Sequence, residues 1–181
     1  MSDAAARLLA ELHAARALMH AAPPAARPGA AALWAYATRA PSAPVDFAVV
    51  RAIREDPETA RRYRTLLTGQ ALAHAPFAVA ASDGAVSSRR VGAFTLEILG
   101  ATDHAPPLLI LRGDEARPPR LIEVILGDET LRVELPSPIE GAILMALDPT
   151  VPEAVRLGAL LRDPACEVFL LRTLPSVTPP P

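Results

Sequence analysis

"RLIEVILGDETLRVELP", residues 120–136, is the stretch on which the fold turns. Ile122, Val124 and Leu126 lead into Gly127-Asp128, and Leu131, Val133 and Leu135 follow it in alternation with Thr130, Arg132 and Glu134. A period of two on both sides of a two-residue glycine turn predicts a β-hairpin with one apolar and one wet face. A hairpin needs neighbours to cover its apolar side, and the flanking sequence supplies them.

Upstream, Phe94, Leu96 and Ile98 alternate with Thr95 and Glu97, and "PPLLIL" (106–111) is a short apolar run entered through two prolines. Downstream, "GAILMAL" (141–147) and "CEVFLLR" (166–172) have strand composition. With the change of period that begins at "PFAVAASDG" (76–84), about seven strands at spacings of roughly ten residues predict an antiparallel β-sandwich-like unit. Between the last two, "VPEAVRLGALLRDP" (151–164) places Val155, Leu160 and Leu161 on a helical period.

Before residue 76 the period is helical. Leu8, Leu12, Ala15 and Met19 recur on one face, Leu9 and Leu18 widen the stripe, and Arg7, Glu11 and Arg16 lie off it. Ser2 or Asp3 can cap this amphipathic helix, and "PPAARPG" (23–29) ends it as a stiff linker. "AALWAYATRA" (31–40) holds two or three turns with the single tryptophan, Trp34, and Tyr36. Val45, Val49, Val50 and Ile53 then share a face, and Asp56-Pro57 is a cap followed by a proline whose missing N–H costs nothing at a helix start. On the helix from Pro57, Ala60, Tyr63, Leu66 and Leu67 are the apolar face and Arg61, Arg62 and Arg64 mostly the polar one.

The expectation is an α+β chain: a unit of short helices over residues 1–75, an antiparallel β-sandwich-like unit over 76–174, and a disordered proline-rich tail over 175–181. Charge divides at the same place. Residues 1–76 carry nine Arg against six acids (+3), and residues 77–181 carry nine against fourteen (−5). At 181 residues no disulfide is needed to stabilise such a chain, and with 4% aromatic residues its core must be aliphatic.

Chemistry is sparse. His13 and His20 lie on separate turns, His74 and His104 are isolated, and the single Cys166 is remote from them, so the spacing predicts no metal site. Cys166 reads as a buried, inert thiol. There is no G-x-S-x-G elbow, no glycine-rich phosphate loop, and no lysine at all for a Walker motif. Asp114-Glu115 and Asp128-Glu129 sit at expected turns, and Ser87-Ser88 in a loop. Neither a cofactor nor a catalytic residue is expected. Glu11, His13 and Arg16 interrupt any signal-peptide core, and no run approaches the ~18 apolar residues of a membrane span, so the chain reads as cytoplasmic.

All 18 basic residues are arginine, which reflects GC-rich coding as much as guanidinium chemistry. A net charge of −2, with no helix-turn-helix following the arginines, argues against nucleic acid. Residues 33–67 resemble the N-terminal helical region of bacterial anti-sigma factors, through Leu33, Tyr36, Val49, Ile53, Asp56, Pro57, Ala60 and Leu67. The His-x-x-x-Cys-x-x-Cys zinc motif of many such proteins is absent, as is the membrane helix that often follows, so the resemblance is to zinc-less versions. It implies a regulator whose small helices wrap a sigma factor.

The expected function is therefore a non-enzymatic regulatory or adaptor role, with a protein partner bound by Trp34, Tyr36, Arg51, Arg54, Arg61, Arg62 and Arg64. The alternatives are a nucleic-acid adaptor using the same arginines, and a small enzyme with a site assembled from residues that form no motif.

Overall fold

Proline and aspartate set the helix boundaries. In the computed structural model, which describes Glu11 and residues 27–76, 87–113 and 116–172, helix α1 spans Ala30–Thr38 and stops as Arg39 turns extended ahead of Pro41. Helix α2, Phe47–Glu55, begins at Asp46, whose carboxylate accepts from the Ala48 N–H at 2.9 Å and the Val49 N–H at 3.4 Å. Helix α3, Pro57–Gln70, begins where the Asp56-Pro57 pair predicts, with Asp56 accepting from the Thr59 N–H at 3.2 Å and its hydroxyl at 2.6 Å. Val45 falls outside α2 and is 36% exposed, so the inner face of that helix is Val49, Val50 and Ile53.

Among the described residues eight antiparallel strands follow: β1 (Ala71–Ala75), β2 (Ser88–Val91), β3 (Phe94–Leu99), β4 (Leu108–Arg112), β5 (Leu121–Leu126), β6 (Glu129–Glu134), β7 (Ala142–Ala146) and β8 (Glu167–Leu171). Helix α4, Pro152–Arg162, joins the last two. One sheet runs β1-β8-β5-β6 and the other β2-β3-β4-β7. The expected hairpin is β5–β6, paired from Leu121↔Glu134 to Leu126↔Glu129 around Gly127 at φ +62°, a conformation that glycine adopts without a steric cost.

Two cores result, one on each face of the first sheet. Ile122, Val124, Val168 and Leu170 point between the sheets, against Leu96, Leu109 and the α4 leucines 157, 160 and 161. Leu121, Ile125, Phe169 and Leu171 point the other way, onto Leu33, Tyr36, Val49, Tyr63 and Leu67 of the helices. The molecule is three layers deep, helices on sheet on sheet, and β5 and β8 are buried on both sides. Each leucine or isoleucine so enclosed contributes about 1.5–3 kcal/mol.

Contacts cross residue 75, where the sequence divides the helical unit from the β-unit. Strand β1 lies on the helical side of that boundary, yet it pairs with β8 from Ala71↔Leu171 to Ala75↔Val168. Among the described residues, the buried side chains of α1–α3 form one cluster with Leu121, Ile125, Phe169 and Leu171 of the sheet. Apart from Glu11, which is helical, the N-terminal amphipathic segment lies outside the described residues, as do the tail over 175–181 and most of "PFAVAASDG".

Candidate partner-binding surface

The alternation that marks the hairpin leaves Arg132 on the wet face of β6, but α1 and α3 cover that face. The Arg132 side chain is 2% exposed and that of Glu123, opposite it on β5, is 0% exposed. Arg132 Nε donates to Glu123 Oε2 at 2.6 Å and Nη2 contacts the same oxygen, while the Tyr63 hydroxyl donates to Glu123 Oε1. The remaining Arg132 donors reach the carbonyls of Ala37 and Arg39, each at 2.8 Å, at the end of α1, where backbone acceptors have no partner within the helix. Burial raises the pKa of the Tyr63 phenol, and the Glu123 carboxylate raises it further, so the hydroxyl keeps the proton it donates.

Tyr36 packs on Tyr63 with ring centroids 5.3 Å apart, and the Arg39 guanidinium lies 4.0 Å from the Tyr36 centroid. A cleft of about 400 Å³ opens beside this cluster, lined by Thr38, Gln70, Leu121, Arg132 and Arg172 among others. Its ionisable lining groups are Arg132, already engaged by Glu123, and the exposed Arg172. Among the described residues that line it, none is a carboxylate, imidazole or thiol. Cys166 is fully buried elsewhere, and burial pushes its thiol up to about 11.

The residues expected to meet a partner separate into two groups. Trp34 is 50% exposed, Arg51, Arg54 and Arg61 are exposed, and Arg62 is half-buried between α1 and α3. Arg61 Nη1 lies 2.8 Å from Glu58 Oε2 on the surface of α3. Tyr36 and Arg64 are less open to solvent. Tyr36 is 8% exposed and belongs to the core under the helices. Arg64 turns toward the sheet, its Nε 2.8 Å from Glu167 Oε1 and its Nη2 donating to the Gly127 carbonyl at 3.1 Å. The reason is angular: Arg64 follows Tyr63 and precedes Leu67 by one turn, which places it at the edge of the buried face.

One surface residue was not singled out from the sequence. Phe47, the first residue of α2, is 79% exposed. It lies at i, i+4 and i+7 spacing with Arg51 and Arg54, so the three form a row along the outer side of the helix. The available signal was its position off the stripe of Val49, Val50 and Ile53. Neither Arg51 nor Arg54 makes a hydrogen bond or ion pair among the described residues. No described helix is long and apolar enough to cross a membrane. No family model, curated protein or solved structure matches the chain.

Proposed function

We propose that the chain is a non-enzymatic regulatory or adaptor protein that binds an acidic protein partner through the outer side of its helical layer. The observation that carries this reading is the exposed row Phe47, Arg51 and Arg54 on α2, to which α1 adds a second exposed aromatic, Trp34. An aromatic anchor beside uncommitted guanidinium groups suits a surface carrying carboxylates, since arginine pairs with them in bidentate geometry. The resemblance of residues 33–67 to anti-sigma factors supports a sigma factor as that partner, which would place the protein in the cytoplasm. A protein is favoured over nucleic acid because Arg61 and Arg64 already have carboxylate partners, which breaks any continuous basic stripe along α3.

The test is capture of purified sigma factors from the parent genome by the full chain, compared with Phe47→Ser and with the pair Arg51→Glu and Arg54→Glu. Either change is expected to weaken binding at least tenfold, about 1.4 kcal/mol, while leaving the melting temperature unaltered. Undiminished capture by both variants would remove α2 from the binding surface. Failure of the wild-type chain to capture any sigma factor would remove that partner class.

A further inference from the structure

Each sheet ends in two edge strands, and among the described residues three of these four edges carry a feature that discourages further pairing. Strand β1 has a bulge between Ala71 and Ala73, β2 carries Arg89 and Arg90, and β6 carries Glu129, Arg132 and Glu134. Strand β7, AILMA, has no charge, proline or bulge, and its ladder to β4 is unbroken from Leu108↔Ala146 to Arg112↔Ala142. We propose that β7 pairs antiparallel with β7 of a second copy of this chain, joining two four-stranded sheets across a two-fold axis. The inference does not rest on the docking role given to α2, which packs on the other sheet.

The free backbone groups of β7 select this partner. The Leu147 N–H donates to the Pro107 carbonyl at 2.7 Å, so the alternation of an antiparallel ladder turns the polar groups of Met145 and Ile143 toward β4. Those of Ala142, Leu144 and Ala146 then face the open edge. Ala142 is engaged there, donating to the Ile139 carbonyl at 3.0 Å and accepting from the Ile139 N–H at 2.7 Å. Leu144 and Ala146 each keep an N–H and a C=O with no partner among the described residues, and both residues are exposed. A two-fold axis at Met145 sets Leu144 opposite Ala146 of the second copy and Ala146 opposite its Leu144. In that one register every free edge group of both copies is hydrogen-bonded.

The side chains fit the same register. On the outer side of the sheet Leu99, Leu108 and Ala146 are cross-strand neighbours, and so are Ile110 and Leu144, which is 41% exposed. Across the axis the first row runs on into the second, and the bare flank of Leu144 gains an apolar neighbour. Charge is compatible as well. Over residues 142–148 the single charged side chain, Asp148, meets Ala142 of the second copy. The groove of about 550 Å³ beside the edge is walled by Arg120 and Glu134, of opposite sign, so this surface can face its own copy without net repulsion.

Sedimentation of the full chain over a range of concentrations is expected to show monomer passing to dimer and to nothing larger, because the two-fold pairing uses up both β7 edges. Ala146→Pro deletes an outward N–H while sparing the ladder to β4, and Leu144→Lys places a charge on the edge. Each is expected to weaken the dimer at least tenfold with the circular dichroism of the monomer unchanged. Met145→Cys lies on the axis, where a non-hydrogen-bonded pair sets the Cα atoms about 4.5 Å apart, and is expected to form a disulfide between copies under mild oxidation. Cys166 is fully buried and takes no part. A chain that stays monomeric up to about 1 mM would overturn the proposal and leave the edge to a strand of another protein. Species larger than a dimer, or a dimer that neither edge variant weakens and that Met145→Cys does not link, would overturn it in favour of another surface.

Discussion

Glu123 and Arg132 show how far a single residue's meaning depends on what covers it. In β-sequence both occupy outward positions, and in the fold each is enclosed, with the phenol of Tyr63 and two α1 carbonyls completing the set. Removing one charge leaves the other buried without a counter-ion. Glu123→Gln is therefore expected to destabilise the protein by about 3–5 kcal/mol, whereas Glu123→Leu combined with Arg132→Met should cost markedly less, as denaturant titration of the three proteins will measure. Cys166 gives a pH signature. Burial holds its thiol neutral, up to about 11 against an ordinary 9.0, with Arg89 partly opposing the shift, and the Tyr63 phenol is raised in the same direction. The unfolded chain thus loses these protons first. Stability should be level with respect to both groups below about pH 9, fall between about 9 and 11 as the unfolded thiol ionises, and fall further above about 10 as the unfolded phenol does, with Cys166 unreactive to thiol reagents in the native protein at pH 8. A decline already present at pH 7 to 8 would show that other groups govern it.

At the scale of the element, local chemistry was legible where it is self-contained. The Gly127-Asp128 turn, the Asp56-Pro57 start of α3 and the helix from Pro152 all depend on a few adjacent residues, and each stands where its sequence puts it. The elements that escaped are those whose evidence is not local. Strand β1, "ALAHA", has neither strong alternation nor β-branched residues, and its identity comes from pairing with β8 and from His74 stacking on Phe169 at 4.3 Å. Strand β2 is short and carries Arg89, whose side chain is drawn inward to the carbonyls of Cys166, at 2.8 Å, and Asp163, at 3.3 Å, just beyond α4. Arg89 and Arg132 act alike, since each enters the protein to satisfy carbonyls at the end of a helix, and neither is available to a partner. Among the arginines of α3, one turn of helix separates the exposed Arg61 from Arg64, which lies in reach of Glu167.

For the whole molecule, the consequence of stacking helices on a sheet that also packs against a second sheet is mechanical unity. The helical layer and β1 cannot leave without uncovering Phe169, Leu121 and Ile125 on one side and unpairing β8 on the other. Thermal unfolding followed by Trp34 fluorescence, which reports on α1, and by far-ultraviolet circular dichroism, which reports on the backbone as a whole, should therefore give coincident transitions. An earlier transition at Trp34 would mean that the helices melt from an intact sandwich. The same stacking explains how the candidate surface could be anticipated in outline and not in detail. Amphipathic spacing sufficed to find helices bearing arginines, but exposure of Phe47 and burial of Tyr36 depend on which side of each helix the sheet occupies.

The sequence by itself determined the repertoire of elements: short helices bounded by proline and aspartate, then alternating strands with a glycine turn at their centre. These follow from backbone sterics and from periodicity, which act over a few residues and need no knowledge of the rest of the chain. Only the tertiary structure decided which polar face met water and which met a helix, and so turned Glu123 and Arg132 from surface charges into internal partners and set Arg64, still a third exposed, against Glu167. That choice depends on contacts between segments about sixty to ninety-five residues apart, such as Tyr63 with Glu123 and Arg132 with Ala37, and local periodicity carries no record of them.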